Sequence, residues 1–237
     1  MLHLESALSL LFVPHCPACD ERVPAPAPLC GACAISLDEL GPACPRCAEP
    51  QAAPPPVTCA RCKTSAWPLE GLVVPWKYGG ELGRALRRMK FSRRPDLARD
   101  LAALYAPFFA AAVVAGEIDV IVPVPLHWRR LGGRGFNQAE ALARHGRRAA
   151  EVATRIDGLV LRRTRATPPQ TSLDGHARRI NLAGAFEVPA RRARRIAGKR
   201  VLLVDDVVST GATMAAAGHA LRAAGAAAVI GFAVARA

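Results

Sequence analysis

Short apolar, β-branched runs alternate with longer segments of helical period along most of the chain. The runs fall at residues 118–124, 159–161, 201–204 and 228–234, and the helix-like segments at 81–89, 96–115, 137–154 and 212–224. Continuous apolar runs suit strands buried on both faces, and intervening helices supply the crossovers that parallel strands require. The pattern therefore predicts an α/β fold, a parallel sheet covered on both sides. Residues 162–184 break the alternation with Pro168, Pro169, Gly175 and many polar side chains. They read as a long loop with a short helix from Gly175, and long loops in compact domains are commonly functional.

The first quarter of the chain follows neither period. All eight cysteines lie between Cys16 and Cys62, and 12 of the 20 prolines fall within residues 1–70. The stretch repeats internally. Pro14-His15-Cys16-Pro17-Ala18-Cys19 returns as Pro42-Ala43-Cys44-Pro45-Arg46-Cys47, and Cys30-Gly31-Ala32-Cys33 returns as Cys59-Ala60-Arg61-Cys62. A small module at residues 1–66 thus precedes a larger, cysteine-free domain at 67–237. Two close thiol pairs aimed at one point are the donor set of a closed, structural, tetrahedral zinc site. The tandem repeat favours sequential sites, Cys16, Cys19, Cys30 and Cys33, then Cys44, Cys47, Cys59 and Cys62, over an interleaved exchange of pairs. A disulfide framework would need an oxidising compartment. The apolar run at 8–13 follows Glu5 and lacks the basic and small-residue flanks of a secretory signal, so a cytoplasmic location is expected. A thioredoxin-like pair would sit beside a βαβ unit, and an iron–sulfur cluster is the minor alternative.

Composition sets the remaining bounds. At 51% apolar and 22% charged residues the chain can bury a core, unlike a disordered one. The apolar run at 108–115 is far shorter than the ~20 residues of a membrane span, and no span is expected. Net charge is +13, and it is divided unevenly: residues 1–70 carry 4 basic and 7 acidic side chains, leaving 28 and 12 for the rest, or +16. Arginine outnumbers lysine 28 to 4, which suits bidentate phosphate contacts and equally reflects a GC-rich coding sequence. Trp67, Trp76 and Trp128 flank basic residues, as stacking platforms for single-stranded nucleic acid would, although core packing is the commoner role of tryptophan. The basic run Arg191-Arg192-Ala193-Arg194-Arg195 reads as a solvated turn or a phosphate contact.

The stretch Val201-Leu202-Leu203-Val204-Asp205-Asp206-Val207-Val208-Ser209-Thr210-Gly211-Ala212-Thr213 carries the most chemistry. A buried strand ends in two adjacent carboxylates, at the sheet end where open parallel sheets bind ligands. A Ser-Thr-Gly turn and a helix start follow, and free N–H groups there make an anion cradle. Carboxylates beside that cradle suit a sugar diol, or Mg²⁺ bridging sugar and phosphate oxygens. Phosphate at one end and hydroxyls or metal at the other describe a phosphorylated sugar. Two carboxylates with no partner in sequence are expected to repel each other, so their removal should cost little stability.

This segment resembles the phosphoribosyl-pyrophosphate (PRPP) motif of type I phosphoribosyltransferases. The resemblance extends through Val122-Pro123-Val124-Pro125-Leu126-His127, Arg129, Arg130 and Arg134-Gly135-Phe136-Asn137-Gln138-Ala139. It also takes in Lys77-Tyr78-Gly79-Gly80, Met89-Lys90-Phe91 and the double cysteine unit, and the whole is similar to the ComF family of competence-linked proteins. It implies a parallel-sheet type I phosphoribosyltransferase fold behind a small double zinc-ribbon module. It implies that Asp205 and Asp206, the candidate catalytic pair, contact the ribose hydroxyls directly or through Mg²⁺. Val208, Ser209, Thr210, Gly211, Ala212 and Thr213 would cradle the 5′-phosphate, and Val124, Pro125, His127, Arg129 and Arg130 would face pyrophosphate. Residues 162–184 take the place of the catalytic loop, although Thr167-Pro168-Pro169-Gln170-Thr171 carries no catalytic Lys or Glu. With the last predicted strand close to Ala237, a hood over the acceptor is expected from residues 64–95 or from the zinc module. The implied function is PRPP binding in a phosphoribosyltransferase-like protein linked to DNA uptake, with DNA-uptake proteins as partners. The alternative is a single-stranded DNA-binding module on a non-catalytic version of the fold, with PRPP as regulatory ligand.

Overall fold

The computed structural model describes residues 14–23, 28–92, 94–165 and 184–237. Its main sheet is parallel throughout, in the order β1 (Gly71–Val73), β8 (Ala228–Arg236), β7 (Arg200–Val208), β3 (Val120–Pro123), β4 (Arg155–Ile156). A further strand, β2 (Trp76–Lys77), also pairs with β8 and continues the line of β1. Pro75, which has no N–H to give, interrupts the two. A separate antiparallel ribbon joins β5 (Arg162–Arg163) to β6 (Phe186–Glu187).

The period-2 pattern of each strand separates two cores. Leu202, Val204, Ile121 and Phe232 face α3 (Gly80–Phe91), α4 (Asp96–Ala115) and α6 (Gln138–Ala149). Val201, Leu203, Val120 and Val229 face α8 (Ala212–Ala223). On the first side, Phe109 meets Phe232 edge to face at 5.0 Å, and the buried Tyr105 hydroxyl donates to the Leu142 carbonyl at 2.9 Å. That approach of α4 to α6 needs glycine at 146, where a Cβ would come within 2.6 Å of the Tyr105 ring. Among the described residues α4 is the one helix long and apolar enough to cross a bilayer, and half of its most apolar window is buried. Its packing against α6 and β8 makes it a core helix.

The cysteine module forms two similar turns, each followed by a short helix, α1 (Gly31–Ile35) and α2 (Ala60–Thr64). The module covers the outer edge of the sheet. Leu40 N–H donates to Pro75 O at 2.9 Å, Lys77 N–H to Asp38 O at 2.8 Å, and Leu72 N–H to Pro45 O at 3.0 Å. An edge that would otherwise invite pairing with another chain is thereby closed.

Three expectations about elements change. Residues 159–161 are not a strand: Val160 and Leu161 are buried beyond the end of β4, so burial rather than pairing explains their apolar character. The 201–204 run extends to Val208, because β8 keeps pairing through Val208 and Arg236 after β3 has stopped at Pro123. The 137–154 helix ends at Ala149. The short helix expected from Gly175 lies outside the described residues, as do Thr167-Pro168-Pro169-Gln170-Thr171.

Candidate functional site

The early end of β3 creates the site. The Val124 N–H still donates to Val204 O at 2.8 Å, and beyond that point the chain leaves β7 without its neighbour. A cleft of about 580 Å³ opens there, lined by Asp205, Asp206 and Val207 on one side and Val124, Pro125 and Leu126 on the other. Its cations are Arg87, Lys90, Arg134 and Arg163. Both acids sit inside the strand rather than past its end, each bonded by the next N–H: Asp206 N–H to Asp205 Oδ1 at 2.9 Å, Val207 N–H to Asp206 Oδ1 at 2.7 Å.

The two carboxylates are not equivalent. Asp206 forms a 3.0 Å ion pair with Lys90, both side chains being mostly buried at 13% and 17% exposure. Burial, and then the charge of Asp206, push the Asp205 carboxyl from its ordinary 3.8 up to about 7, against the opposing pull of a backbone N–H, Lys90 and Arg163. The acidic pair therefore has a partner, contrary to the expectation of two unpaired acids. That partner comes from α3, so Tyr78, Arg87, Lys90 and Phe91 supply one wall of the cleft. Tyr78 and Phe91 belong to this wall, with Arg87 against the Tyr78 ring at 5.9 Å and Arg134 against the Phe91 ring at 5.2 Å.

Next along β7 comes the anion-type loop. Asp205, Val208, Ser209, Gly211, Ala212 and Thr213 line a small hollow of about 20 Å³. Gly211, at φ 77°, is the cap of α8, and the first N–H of that helix, from Ala212, donates to Thr210 Oγ1 at 3.4 Å, so the turn and the helix N-terminus face the hollow together. Thr213 borders both the hollow and the cleft. The Thr210 carbonyl accepts from Arg61 Nη1 at 3.1 Å, outside the hollow.

The remaining expected site residues divide. Val124 and Pro125 reach the cleft. His127 does not line it, being buried with its ring 5.4 Å from that of Trp128. Arg129 and Arg130 lie on α5 (Trp128–Arg134), with side chains outside the described residues. Asn137 caps α6 and its Nδ2 donates to Val124 O at 3.1 Å, tying that helix to the loop. Gln138 is buried on the cleft wall, accepts from Arg134 at 3.2 Å and leaves Nε2 without a hydrogen-bond partner. Lys90, Arg134, Asn137 and Gln138 were visible in sequence only as parts of the quoted motifs.

The three tryptophans separate by burial. Trp76 is core, 5.5 Å from Phe108, Trp67 packs under Arg61, and Trp128 is 67% exposed. The basic run is partly structural: Arg195 pairs with buried Asp157 at 2.8 Å.

The eight thiols gather as the sequential sets, each with its sulfurs within 4.8 Å of one another. Sulfur separations of 3.6 Å for Cys19–Cys30 and 3.7 Å for Cys47–Cys59 match the edge of a tetrahedron built on Zn–S bonds, about 3.8 Å. Burial raises the Cys44 thiol, but backbone N–H groups of Cys59, Cys47 and Arg46 outweigh it and bring the group down to about 6. Donors aimed at sulfur favour the thiolate that zinc binds. The donor set fits zinc at both places.

Residues 7–63 match the double zinc ribbon domain and residues 108–236 the phosphoribosyl transferase domain. The chain is 36% identical over 176 residues to DNA utilization protein YhgH of Escherichia coli strain K12, covering 72% of this chain and 74% of that one. It is 35% identical over 169 residues to the YhgH protein of Salmonella typhimurium, covering 69% and 71%. With Competence protein F of Haemophilus influenzae it shares 27% identity over 216 residues, 90% and 86% of the two chains. The strand order, the acidic strand end followed by its open loop, and the paired four-cysteine sites stand in agreement with these matches, and the chain belongs to the ComF family of phosphoribosyl transferase domains carried behind a double zinc ribbon.

Proposed function

We propose that the cleft binds PRPP or a closely related phosphorylated ribose together with Mg²⁺. The observation that carries this reading is the arrangement on β7, where two adjacent carboxylates facing one cleft, one of them paired with Lys90, are followed by the Ser-Thr-Gly turn and the N-terminus of α8. The 5′-phosphate would take the N–H groups and hydroxyls of residues 208–213. Asp205 and Asp206 would hold the ribose hydroxyls or Mg²⁺, displacing Lys90 from Asp206. Mg²⁺, when bound, would supply charge neutralisation for the pyrophosphate leaving group. Arg163 and Arg134 border the same cleft, and such prepositioned charge is the main means by which an enzyme of this kind lowers a barrier without a general base. Whether C1 passes to an acceptor is decided by titrating the protein with PRPP and Mg²⁺ in a calorimeter, followed by a pyrophosphate-release assay over a nucleobase panel. Saturable, Mg²⁺-dependent binding that vanishes in Asp205→Ala/Asp206→Ala is expected. Absence of binding would remove the reading.

The relatives' names connect them to DNA utilization and competence, and we extend that role to this chain. A second observation favours direct contact with single-stranded DNA. Exposed Trp128 borders a groove of about 440 Å³ with Arg162, Arg163 and Arg192, and the groove shares Pro125, Leu126 and Arg163 with the cleft. A stacking platform between cations is how single strands are held. Affinity should fall steeply with salt and should drop in Trp128→Ala with its salt slope unchanged. Equal, salt-abolished binding to heparin would reduce the basicity to a generic property.

A further inference from the structure

The two cysteine repeats differ by an arginine inside each turn. Where the first ribbon has Ala18 and Ala32, the second has Arg46 and Arg61, and both arginines reach into the transferase domain. Arg46 donates to Trp67 O at 2.9 Å and receives the Trp67 indole N–H at 2.8 Å. The Trp67 ring fills the space beside Gly211, where a Cβ would come within 2.8 Å of it. Arg61 lies over the same ring at 5.5 Å, pairs with Glu49 at 3.7 Å and donates through Nη1 to Thr210 O at 3.1 Å. The Cys47 thiol and the Glu49 carboxylate also lie against this guanidinium, and both favour its charged form. Beyond this contact, Trp67 and Pro68 line a cavity of about 590 Å³ together with Ala212, Ala215 and Ala216 of α8.

A zinc ion with four thiolates has a net charge of −2, and the Arg61 guanidinium is the cation set between that charge and the loop carbonyl. We propose that Arg61 is a positioning residue that couples the second zinc site to the phosphate loop, so that zinc at Cys44, Cys47, Cys59 and Cys62 and a phosphate at residues 208–213 each raise the affinity of the other. Reciprocity is required of any such coupling. Among the described residues the first ribbon shows no such link: Arg88 of α3 holds it instead, donating to Pro17 O at 3.1 Å. The inference rests on the phosphate reading of the loop.

The test uses ribose 5-phosphate as probe on the zinc-loaded full chain. Its binding is measured by calorimetry, and zinc release to a chromogenic chelator is followed with and without it. Release of one of the two ions should slow about tenfold with saturating probe, within the range usual for coupled sites. Arg61→Ala should abolish the difference, and Arg61→Lys should restore part of it by returning the charge without the second donor. Probe binding with unchanged zinc release in the wild-type chain would overturn the coupling alone. No probe binding would overturn both the coupling and the phosphate reading. Slowed release that persists in Arg61→Ala would show that the coupling does not pass through this residue, which also refutes it.

Discussion

Replacing Asp205 with asparagine should stabilise the protein, and more so as the pH rises. Asparagine keeps the shape of the side chain and the Oδ1 that accepts the Asp206 N–H at 2.9 Å, while removing the charge. Burial and the neighbouring Asp206 lift the Asp205 carboxyl from 3.8 to about 7 in the fold. A group whose folded value is the higher binds more protons folded than unfolded. Wild-type stability therefore falls as pH rises from about 3.8 towards about 7, and above that the full cost is present. At about 1.4 kcal/mol per unit, roughly three units give an upper bound of about 4 kcal/mol at pH 8. Solvent relaxation around a partly buried pair halves this, to about 2 kcal/mol, with about 1 kcal/mol at pH 5.5. For a chain of this size each kcal/mol moves the midpoint by about 2–4 °C. Thermal melts of the two proteins at the two pH values measure it, because the zinc sites and the titrating groups away from the acidic pair are common to both and cancel in the difference. A gain that does not grow with pH, or a loss at pH 8, would show that the carboxylate is stabilised where it sits and refute the argument.

Asp206→Ala should behave in the opposite way and cost about 1–3 kcal/mol, since it leaves Lys90 buried without its 3.0 Å partner; adding Lys90→Met should recover most of the loss in a denaturant titration, and equal single and double mutants would rule the pair out as an energetic contact. Metal analysis should return about two zinc ions per chain, whereas less than one, or an iron–sulfur absorption band, would contradict the ribbon assignment. Gly211→Ala should lower the melting temperature by about 4 °C or more, because a Cβ at φ 77° costs about 1–2 kcal/mol before its 2.8 Å contact with Trp67 is relieved; an unchanged melt and unchanged ribose 5-phosphate binding would count against the tight seat of Trp67 on the loop.

What the sequence determined was local or periodic. Apolar runs such as 201–204 and 228–234 can be buried only as strands with both faces covered, and their alternation with helices leaves a parallel sheet as the outcome. The cysteine spacing was equally self-contained, since each Cys-x-x-Cys turn aims its own two sulfurs and the repeat pairs neighbouring turns. The acidic pair and the loop after it are contiguous, so their juxtaposition needed no fold to be seen. Other features arise from residues distant in the chain. Lys90 meets Asp206 across 116 positions, and no pattern within either segment encodes that contact. The cleft exists because β3 stops at Pro123 while β8 keeps β7 extended to Val208, a difference in strand length that only pairing fixes. His127 reads in sequence as a loop residue near a ligand, and packing buried it against Trp128 instead. The link from Arg61 to Thr210 spans 149 positions; the sequence showed the arginine that breaks the repeat, and the tertiary structure decided what it holds, because a side chain's partner is set by which surfaces the whole core brings within hydrogen-bond reach.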